Sequence, residues 1–473
     1  MAVFHPPKNH RILHNPGCGI LYLQRGYHKL PFSAVPEDAW FRKERLADKI
    51  AIHLPWCALE PEEGRYLWEH PDWEGCFRSW INAGFKVALQ IRGMDTLGTC
   101  YQEGVPQWVF DAGAAFIDEP IDAYRGTFLL NNIPEHGNAP VRYPVYWDEV
   151  YLEKTEQLVR AMGRRYNGNP NVEYVVVGHM GRWGEMHIAD HGPLKPWFDA
   201  GLSLPNYIAA HKRILDVYRE AFPDTPLVQD IGAPAFSETP GGRDLYGLED
   251  AAEIFEHAVK LGIILKFDGI GKNWHGTRSR FLEDEVRDLF LHFRSRTKIA
   301  MENLILPEGL REALDCGISY WHRGGESQGL GILNVDRDLP IAEKKIYSFY
   351  RFYPEEYDAL TREEEKEIWR MMARECGYRL EIETAKLEEG HLSLTIRNSG
   401  RAPFREPYSI RIATDSHSVS IPGKGPLESG EAETCTVLLP PGEHPAAGIE
   451  SRGHILELGN DSSRTDNLIR LRF

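Results

Sequence analysis

Two glutamates stand where short apolar segments end. Glu185 closes the stretch VEYVVVGHMGRWGE (172–185), and Glu302 follows KIAM (298–301). Two carboxyl groups can divide acid and base work, because one can protonate a departing oxygen while the other attacks carbon or activates water. Glu185 and Glu302 are therefore the candidate catalytic residues, provided that the fold brings them to the same substrate.

Polar and aromatic side chains follow most of the other apolar segments. Tryptophan rings can stack on the apolar face of a sugar ring, and Arg, His, Asp and Asn side chains can bind its hydroxyl groups. For each tryptophan the alternative is core packing, and for Arg25, Arg92 and Arg182 it is orientation of a catalytic carboxylate. The predicted substrate-binding residues are Arg25, His53, Trp56, Arg92, Trp183, His187, Asp230, Asp268, Asn273, Trp274, His275, Asn303 and Trp321.

These residues need a scaffold in which several strands end together. Most candidate strands are nearly continuous apolar runs, which is typical of parallel strands buried on both faces, and amphipathic segments separate them. Eight strands with helix-length connections predict a (β/α)8 TIM barrel over residues 1–355. An open doubly wound sheet is the alternative, but no glycine-rich phosphate turn follows the first strand. The candidate strands are 18–23, 49–54, 86–91, 172–177, 226–230, 263–268, 298–301 and 317–321.

In such a barrel the carboxyl ends of all strands surround one mouth, where active sites lie. The fourth and seventh strands lie on opposite sides of that mouth. Glu185 and Glu302 can therefore face each other across a sugar, which is the arrangement that cleavage of a glycosidic bond requires. The connection 92–171 is far longer than the others and predicts a lid or wall over the site.

The pattern changes after the barrel. A charged segment, 356–376, predicts an exposed helical linker. Residues 377–473 alternate short strands with Gly, Pro, Asn and Ser, which predicts a small antiparallel β-sandwich.

The composition limits the classes of partner. Hydrophobic residues make up 42% and charged residues 26% of the 473 residues, and the net charge is −16. Acidic excess disfavours nucleic acid and anionic membranes as partners, and no apolar run is long enough for a membrane span or a signal peptide. Seven scattered cysteines without a CxxC pair favour free thiols and a cytoplasmic location. No cofactor is expected, and a homo-oligomer is compatible with these numbers.

Two stretches resemble known enzymes. HLPWCALEPEEGRYLWEHPDWEGCFRSWINAGFKVALQIRG (53–93) is similar to the second-to-third-strand segment of (β/α)8 glycoside hydrolases, families 42, 35 and 5 among them. RRYNGNPNVEYVVVGHMGRWGE looks like their approach to the acid/base glutamate, and GVPQW is similar to their third loop. The whole chain resembles an uncharacterised, glycosidase-like barrel family with a WGE motif and a C-terminal β-sandwich.

The resemblance implies a retaining mechanism with Glu185 as acid/base, Glu302 as nucleophile and Trp321 as an aromatic floor after the eighth strand. One position departs from the pattern. Those families usually place Asn immediately before the acid/base, where it holds a sugar hydroxyl, and this chain has Gly184 there.

Two other functional classes are alternatives to a glycoside hydrolase. The cluster at 179–191 includes His187 and His191, four residues apart, which could suggest a metal-dependent hydrolase, but no HExxH motif is present and no metal is expected. A non-catalytic, carbohydrate-binding barrel is the third class. The sequence favours a glycoside hydrolase that acts from the end of a short oligosaccharide or glycoside.

Overall fold

Eight parallel strands close into a barrel in chain order, as the sequence predicts. The computed structural model describes residues 1–24, 31–34, 37, 40–94, 104–120, 140–186, 188, 193–231, 247, 249–270, 284–303, 307–323, 362–440, 442–462 and 466–473. The barrel strands, first to eighth, are Gly19–Gln24, Lys49–Pro55, Lys86–Arg92, Val172–Val176, Leu227–Ile231, Ile264–Ile270, Ile299–Asn303 and Tyr320–Arg323.

Alternation along each strand divides its side chains between two buried surfaces. One set fills the barrel interior and the other packs beneath the helices, so that both faces are mainly apolar. This explains why the strands read as nearly continuous apolar runs. The interior cluster contains Leu21, Ala51, Ala88, Tyr174, Val176, Val228, Ile264, Ala300 and Tyr320.

Helices surround the barrel, and the two longest begin at side-chain caps. Asp148 accepts a hydrogen bond from the Tyr151 amide at 3.0 Å, and Ser203 caps the next long helix. The two long helices approach closely at Gly163, where a Cβ atom would lie 2.4 Å from the Ala221 carbonyl oxygen. The α-helices in the described residues are Trp40–Glu44, Trp56–Leu59, Pro71–Asn82, Gln107–Asp111, Glu149–Tyr166, Leu194–Asp199, Leu204–Ala221, Ala252–Lys260, Asp284–Phe293, Pro307–Asp315 and Arg362–Glu375.

The helix Arg362–Glu375 corrects one prediction. The charged segment was expected to be an exposed linker, but one face of this helix is buried against the barrel. Trp369 is fully buried, with its ring centroid 5.0 Å from that of Trp321 and 5.4 Å from that of Tyr22. The charged residues occupy only the outer face, so this segment is a covering helix of the barrel.

Two antiparallel sheets enclose a second core and form the predicted β-sandwich. One sheet contains, in order, Ala2–Phe4, Leu380–Glu388, His391–Asn398 and Ala432–Leu438. The other contains Ser418–Pro422, Tyr408–Ala413, Ala446–Ser451 and His454–Ile455, with Ile469–Arg470 also paired to Ala446–Ser451.

Residues 2–16 belong to the sandwich and not to the barrel, which corrects the predicted boundary at residue 1. Ala2–Phe4 forms an edge strand beside Leu380–Glu388. The Asn9 amide donates to the Gly459 carbonyl at 2.7 Å, and Tyr378 Oη donates to the Pro16 carbonyl at 2.8 Å.

A buried polar network joins the sandwich to the amino end of the barrel. Lys298 pairs with Glu406, and Arg452 Nε lies 2.8 Å from a Glu406 carboxylate oxygen. Glu173, where the pairing of the third and fourth strands shifts register, accepts hydrogen bonds from the Gly17 amide and from Tyr320 Oη, both at 2.6 Å. The mouth at the opposite end of the barrel is therefore the end left for a site.

Within the described residues, no helix combines the length and apolar character that a bilayer crossing requires.

Candidate active site

A row of three charged side chains crosses the barrel interior near its carboxyl end. Lys266 Nζ lies 2.8 Å from Asp230 Oδ1 and 3.0 Å from Glu302 Oε2. The three residues come from the fifth, sixth and seventh strands, and the register pairs Asp230 directly with Lys266. The Asp230 side chain is 0% exposed, that of Lys266 3% and that of Glu302 11%. The triad therefore presents Glu302 toward the mouth and encloses the other two.

This row changes the prediction for Asp230. The carboxylate was expected to bind a sugar hydroxyl, but it is fully buried and its ion-pair partner is Lys266. Asp230 therefore lies deeper in the barrel than Glu302, where a sugar cannot reach it.

Lys266 joins the candidate site although it is not among the residues predicted from the sequence. It lies within the apolar run IILKFD, which predicts a strand, and no strand-end search selects it. A signal was present, since Lys266 is two residues after the interior residue Ile264 and must share its face. A lysine on the inner face of a barrel strand needs a buried anionic partner.

A second polar pair spans the barrel between the fourth and eighth strands. Tyr174 Oη is hydrogen bonded to His322 Nε2, and the Tyr174 ring packs edge-to-face on Tyr320 at 5.2 Å between centroids. Burial raises the pKa of Tyr174 well above its ordinary value, and the nearby Lys266 opposes that shift. Tyr174 is therefore a neutral hydrogen-bonding group, and His322 beside it is the register partner of Glu302.

Glu185 lies in a tight loop after the fourth strand. Its backbone has ordinary angles, but Trp183, Gly184 and Met186 around it have φ values of +54°, +78° and +73°. Left-handed conformations at Trp and Met cost energy and persist where the surrounding structure enforces them, commonly at functional sites. Glu185 itself is buried, with 7% of its surface exposed.

Backbone contacts fix this loop to the third strand. The Trp183 amide donates to the Met94 carbonyl at 2.8 Å, and Gln90 Nε2 donates to the Trp183 carbonyl at 2.8 Å. Arg92 Nε in turn donates to Gln90 Oε1 at 3.0 Å. Predicted as a substrate contact, Arg92 is buried here and supports the residue that holds the loop.

The geometry explains why this chain has glycine at position 184. A Cβ atom there would lie 2.7 Å from the Gly178 Cα atom and 3.0 Å from Gln90 Nε2, and φ is left-handed. An asparagine in this backbone would clash with the strand below it. The loop therefore excludes the side chain that the resembling families carry at this position.

Arg182 attaches the same loop to the long connection. Its Nε atom lies 3.1 Å from Tyr143 Oη, Nη2 also donates to that oxygen, and the guanidinium is fully buried. Tyr143 belongs to a two-stranded sheet, Phe116–Glu119 with Val141–Pro144, within the connection 92–171. This part of the connection therefore packs beside the loop of Glu185.

His179 supports the strand end from beneath. It is fully buried, its Nδ1 atom lies 2.7 Å from Tyr218 Oη, and its carbonyl accepts a hydrogen bond from Tyr151 Oη at 2.6 Å. Burial lowers the pKa of His179 to about 3, so it is neutral at physiological pH. Its role is to hold the loop in place.

The predicted tryptophan contacts divide into two groups. Trp56 is fully buried, donates from Nε1 to Glu60 at 2.7 Å and packs against His179 and Trp108. The eighth strand continues to Arg323, and its inward-facing residues are Tyr320 and His322. Trp321 therefore faces outward and packs on the covering helix. Neither ring fits the predicted stacking role, and the core alternative applies to both. Trp183 is half-buried and lies beside Arg182.

The remaining predicted residues are only partly described. His53 is buried at the end of the second strand, opposite Gln90 in register. Asp268 lies in the sixth strand, and Asn303 is the last residue of the seventh. Arg25, His187, Asn273, Trp274 and His275 lie outside the described residues, as does His191. In the described part of the chain, no group of three His, Cys, Asp or Glu side chains could hold a metal ion.

Comparison with known proteins gives fold likeness alone. No protein-family model matches the chain, and no curated protein does. A β-galactosidase from the psychrophilic Marinomonas ef1 is 14% identical over 64% of this chain and 53% of its own, with a TM-score of 0.41. An endo-1,4-β-mannanase from Rhizomucor miehei is 10% identical over 68% and 94%, with a TM-score of 0.43. A GH30 endoxylanase from Clostridium papyrosolvens C71 is 10% identical over 91% and 96%, with a TM-score of 0.37. Likeness at this level carries no weight for function.

Proposed function

We propose that the protein hydrolyses a glycosidic bond with retention of configuration, using Glu302 as nucleophile and Glu185 as acid/base. The ion pair between Lys266 Nζ and Glu302 Oε2 carries this proposal. A nucleophilic carboxylate must be ionised and held still, and a charge-assisted hydrogen bond from a buried ammonium provides both. Among the three members of the triad, Glu302 is the one that a substrate can reach.

Glu185 is the proposed partner because of its place in the barrel. It follows the fourth strand, three strands from the seventh in the closed order, and its loop is fixed by Gln90 and Arg182. A rigid loop of this kind suits a group that must meet a leaving oxygen at hydrogen-bond distance.

The proposed reaction has two steps. Glu185 first donates its proton to the glycosidic oxygen while the Glu302 carboxylate attacks the anomeric carbon, which releases the alcohol and forms a glycosyl ester. Glu185, now a carboxylate, takes a proton from water as that water attacks the same carbon. The sugar leaves with its configuration retained, Glu302 is again a carboxylate, and Glu185 is again protonated.

The proposed substrate is the end of a short oligosaccharide or a glycoside with a small aglycone. The contact between Arg182 and Tyr143 supports a walled site, because it holds the inserted sheet against the acid/base loop. A wall on one side of the mouth favours exo-cleavage over binding along a polymer.

The test is turnover of a panel of aryl glycosides, uronides included, by the wild type and by Glu302→Gln and Glu185→Gln. We expect Glu302→Gln to lower kcat by about a thousandfold or more, because the nucleophile is lost. Glu185→Gln should affect substrates with poor leaving groups most, because good leaving groups need no proton. The matched control is Glu381→Gln, which alters a buried glutamate paired with Lys8 in the sandwich.

Two results would contradict the proposal. Near-wild-type turnover by folded Glu302→Gln would exclude it as the nucleophile. Sugar binding by the wild type without any turnover, unchanged in Glu302→Gln, would instead indicate a carbohydrate-binding barrel.

A further inference from the structure

The Asp230–Lys266–Glu302 row contains more charge than the proposed reaction uses. The row contains two carboxyl groups and one amino group, and only one of them is the proposed nucleophile. Lys266 contacts both carboxylates at 2.8 and 3.0 Å. Buried ion pairs of this kind are often no more stabilising than apolar side chains of similar size, because each ion loses its hydration. Stability alone is therefore a poor explanation for the row.

The order of exposure within the row indicates a direction. Asp230 is fully enclosed, Lys266 is almost so, and Glu302 is the outermost. Asp230 is thus in no position to contact a substrate, and its ion-pair partner is Lys266. Lys266 in turn contacts Oε2 of Glu302, so it links the enclosed carboxyl group to the outermost one.

We propose that Lys266 is a positioning residue that fixes the Glu302 carboxylate for attack, and that Asp230 is the permanent counter-charge of Lys266. This inference rests on the proposed function. When Glu302 becomes an ester its negative charge disappears, while the contact between Lys266 and Asp230 remains. Asp230 is the counter-charge that remains beside the Lys266 ammonium through both steps. When water breaks the ester, Lys266 stabilises the departing carboxylate of Glu302.

The experiment compares Lys266→Met, Lys266→Arg and the control Lys298→Met on the aryl glycoside that the wild type turns over best. Methionine keeps the length of the side chain without its charge, whereas arginine keeps the charge. Lys298 is also buried and paired with a glutamate, but it lies at the other end of the barrel against the sandwich. A double variant, Asp230→Asn with Lys266→Met, also removes the carboxylate charge that Lys266 contacts and serves if Lys266→Met does not fold.

We expect Lys266→Met, or the double variant, to lower kcat by about a hundredfold, because a preorganised charge partner of the nucleophile is lost. KM should change less than about threefold, because Lys266 is enclosed and does not touch the substrate. Arginine should recover at least tenfold of that loss. Lys298→Met should stay within about twofold of wild-type kcat, whatever its effect on unfolding. Equal losses in the methionine and arginine variants, or a loss confined to KM, would overturn the inference.

Crystal structures of the same variants separate this inference from the proposed function. Glu302 should keep its position in Lys266→Arg and Lys298→Met, and should rotate away by more than about 1 Å in the variant without the ammonium. A wild type that hydrolyses no glycoside refutes the proposed function, yet the position of Glu302 still decides the inference. An unmoved Glu302 in the uncharged variant would refute the positioning role even in an active enzyme.

Discussion

Gly184 is a residue at which a single added methyl group should disturb the candidate site. Its φ of +78° is left-handed, and an added Cβ atom would lie 2.7 Å from the Cα atom of Gly178. Gly178 Cα is a backbone atom, and the backbone at residue 184 fixes the position of Cβ, so neither atom can turn aside as the end of a flexible side chain would. Gly184→Ala must therefore displace the loop that carries Glu185.

The expected loss of stability has two causes, the left-handed backbone conformation and the steric overlap. A non-glycine residue in the left-handed region costs about 1 kcal/mol, and overpacking against a rigid neighbour adds about 1–3 kcal/mol. We expect Gly184→Ala to lower the free energy of unfolding by about 2–4 kcal/mol in total. A shift of Glu185 by about 1 Å would also reduce kcat/KM by up to about a hundredfold.

Gly262 provides the matched control. Its φ is +73°, and nothing lies within 4 Å of the position that a Cβ atom would occupy. Gly262→Ala should therefore cost only the conformational term, about 1 kcal/mol. Urea denaturation followed by tryptophan fluorescence suits the comparison, because all 12 tryptophans precede residue 377 and the signal reports on the barrel.

Equal destabilisation by Gly184→Ala and Gly262→Ala would refute the steric reasoning. Gly184→Asn adds a further test, since asparagine tolerates the left-handed region and removes most of the conformational term. It should remain clearly more destabilising than Gly262→Ala. A stable and active Gly184→Asn variant would mean that the loop accepts the residue found in the resembling families.

Two further predictions concern the supports of the site. Tyr143→Phe removes the hydroxyl that Arg182 contacts, so it should lower the free energy of unfolding by about 1–3 kcal/mol and reduce kcat/KM about tenfold. The control is Tyr146→Phe, because the Tyr146 hydroxyl has no hydrogen-bond partner among the described residues. This control should change neither quantity. Burial lowers the pKa of His179 to about 3 and that of His211 to about 4, so the unfolded chain, with histidine near 6.5, binds more protons below pH 6.5 and stability falls as the pH drops toward 4. His211→Gln should reduce that loss by up to about 1.4 kcal/mol per pH unit, and urea midpoints at pH 7.5 and 5 that change equally in both proteins would contradict the assignment.

The barrel was predictable because its strands are buried on both faces. That burial leaves a strong local pattern, and the order of eight apolar runs is sufficient to place Glu302 at the seventh strand end and Glu185 after the fourth. The N-terminal edge strand was not predictable in this way. Its partner lies more than 370 residues away, and no local pattern records which strand Ala2–Phe4 joins.

The errors within the site have local physical causes. Trp321 was assigned to the rim because the eighth strand was expected to end there, but the strand continues for two residues and alternation turns the ring outward. Lys266 was missed because a lone lysine in an apolar run is ordinarily read as part of the strand. Which partners neutralise such a lysine depends on register between neighbouring strands, and that is a property of the folded sheet.

The pairing of Ala2–Phe4 with Leu380–Glu388 has a consequence for biosynthesis. The ribosome makes this edge strand before the barrel, yet its partner emerges only after the whole barrel has been translated. The edge strand therefore has no partner strand until the segment Leu380–Glu388 has been synthesised. The second domain combines a segment made before the barrel with segments made after it, so its first sheet is completed only after the barrel has been synthesised.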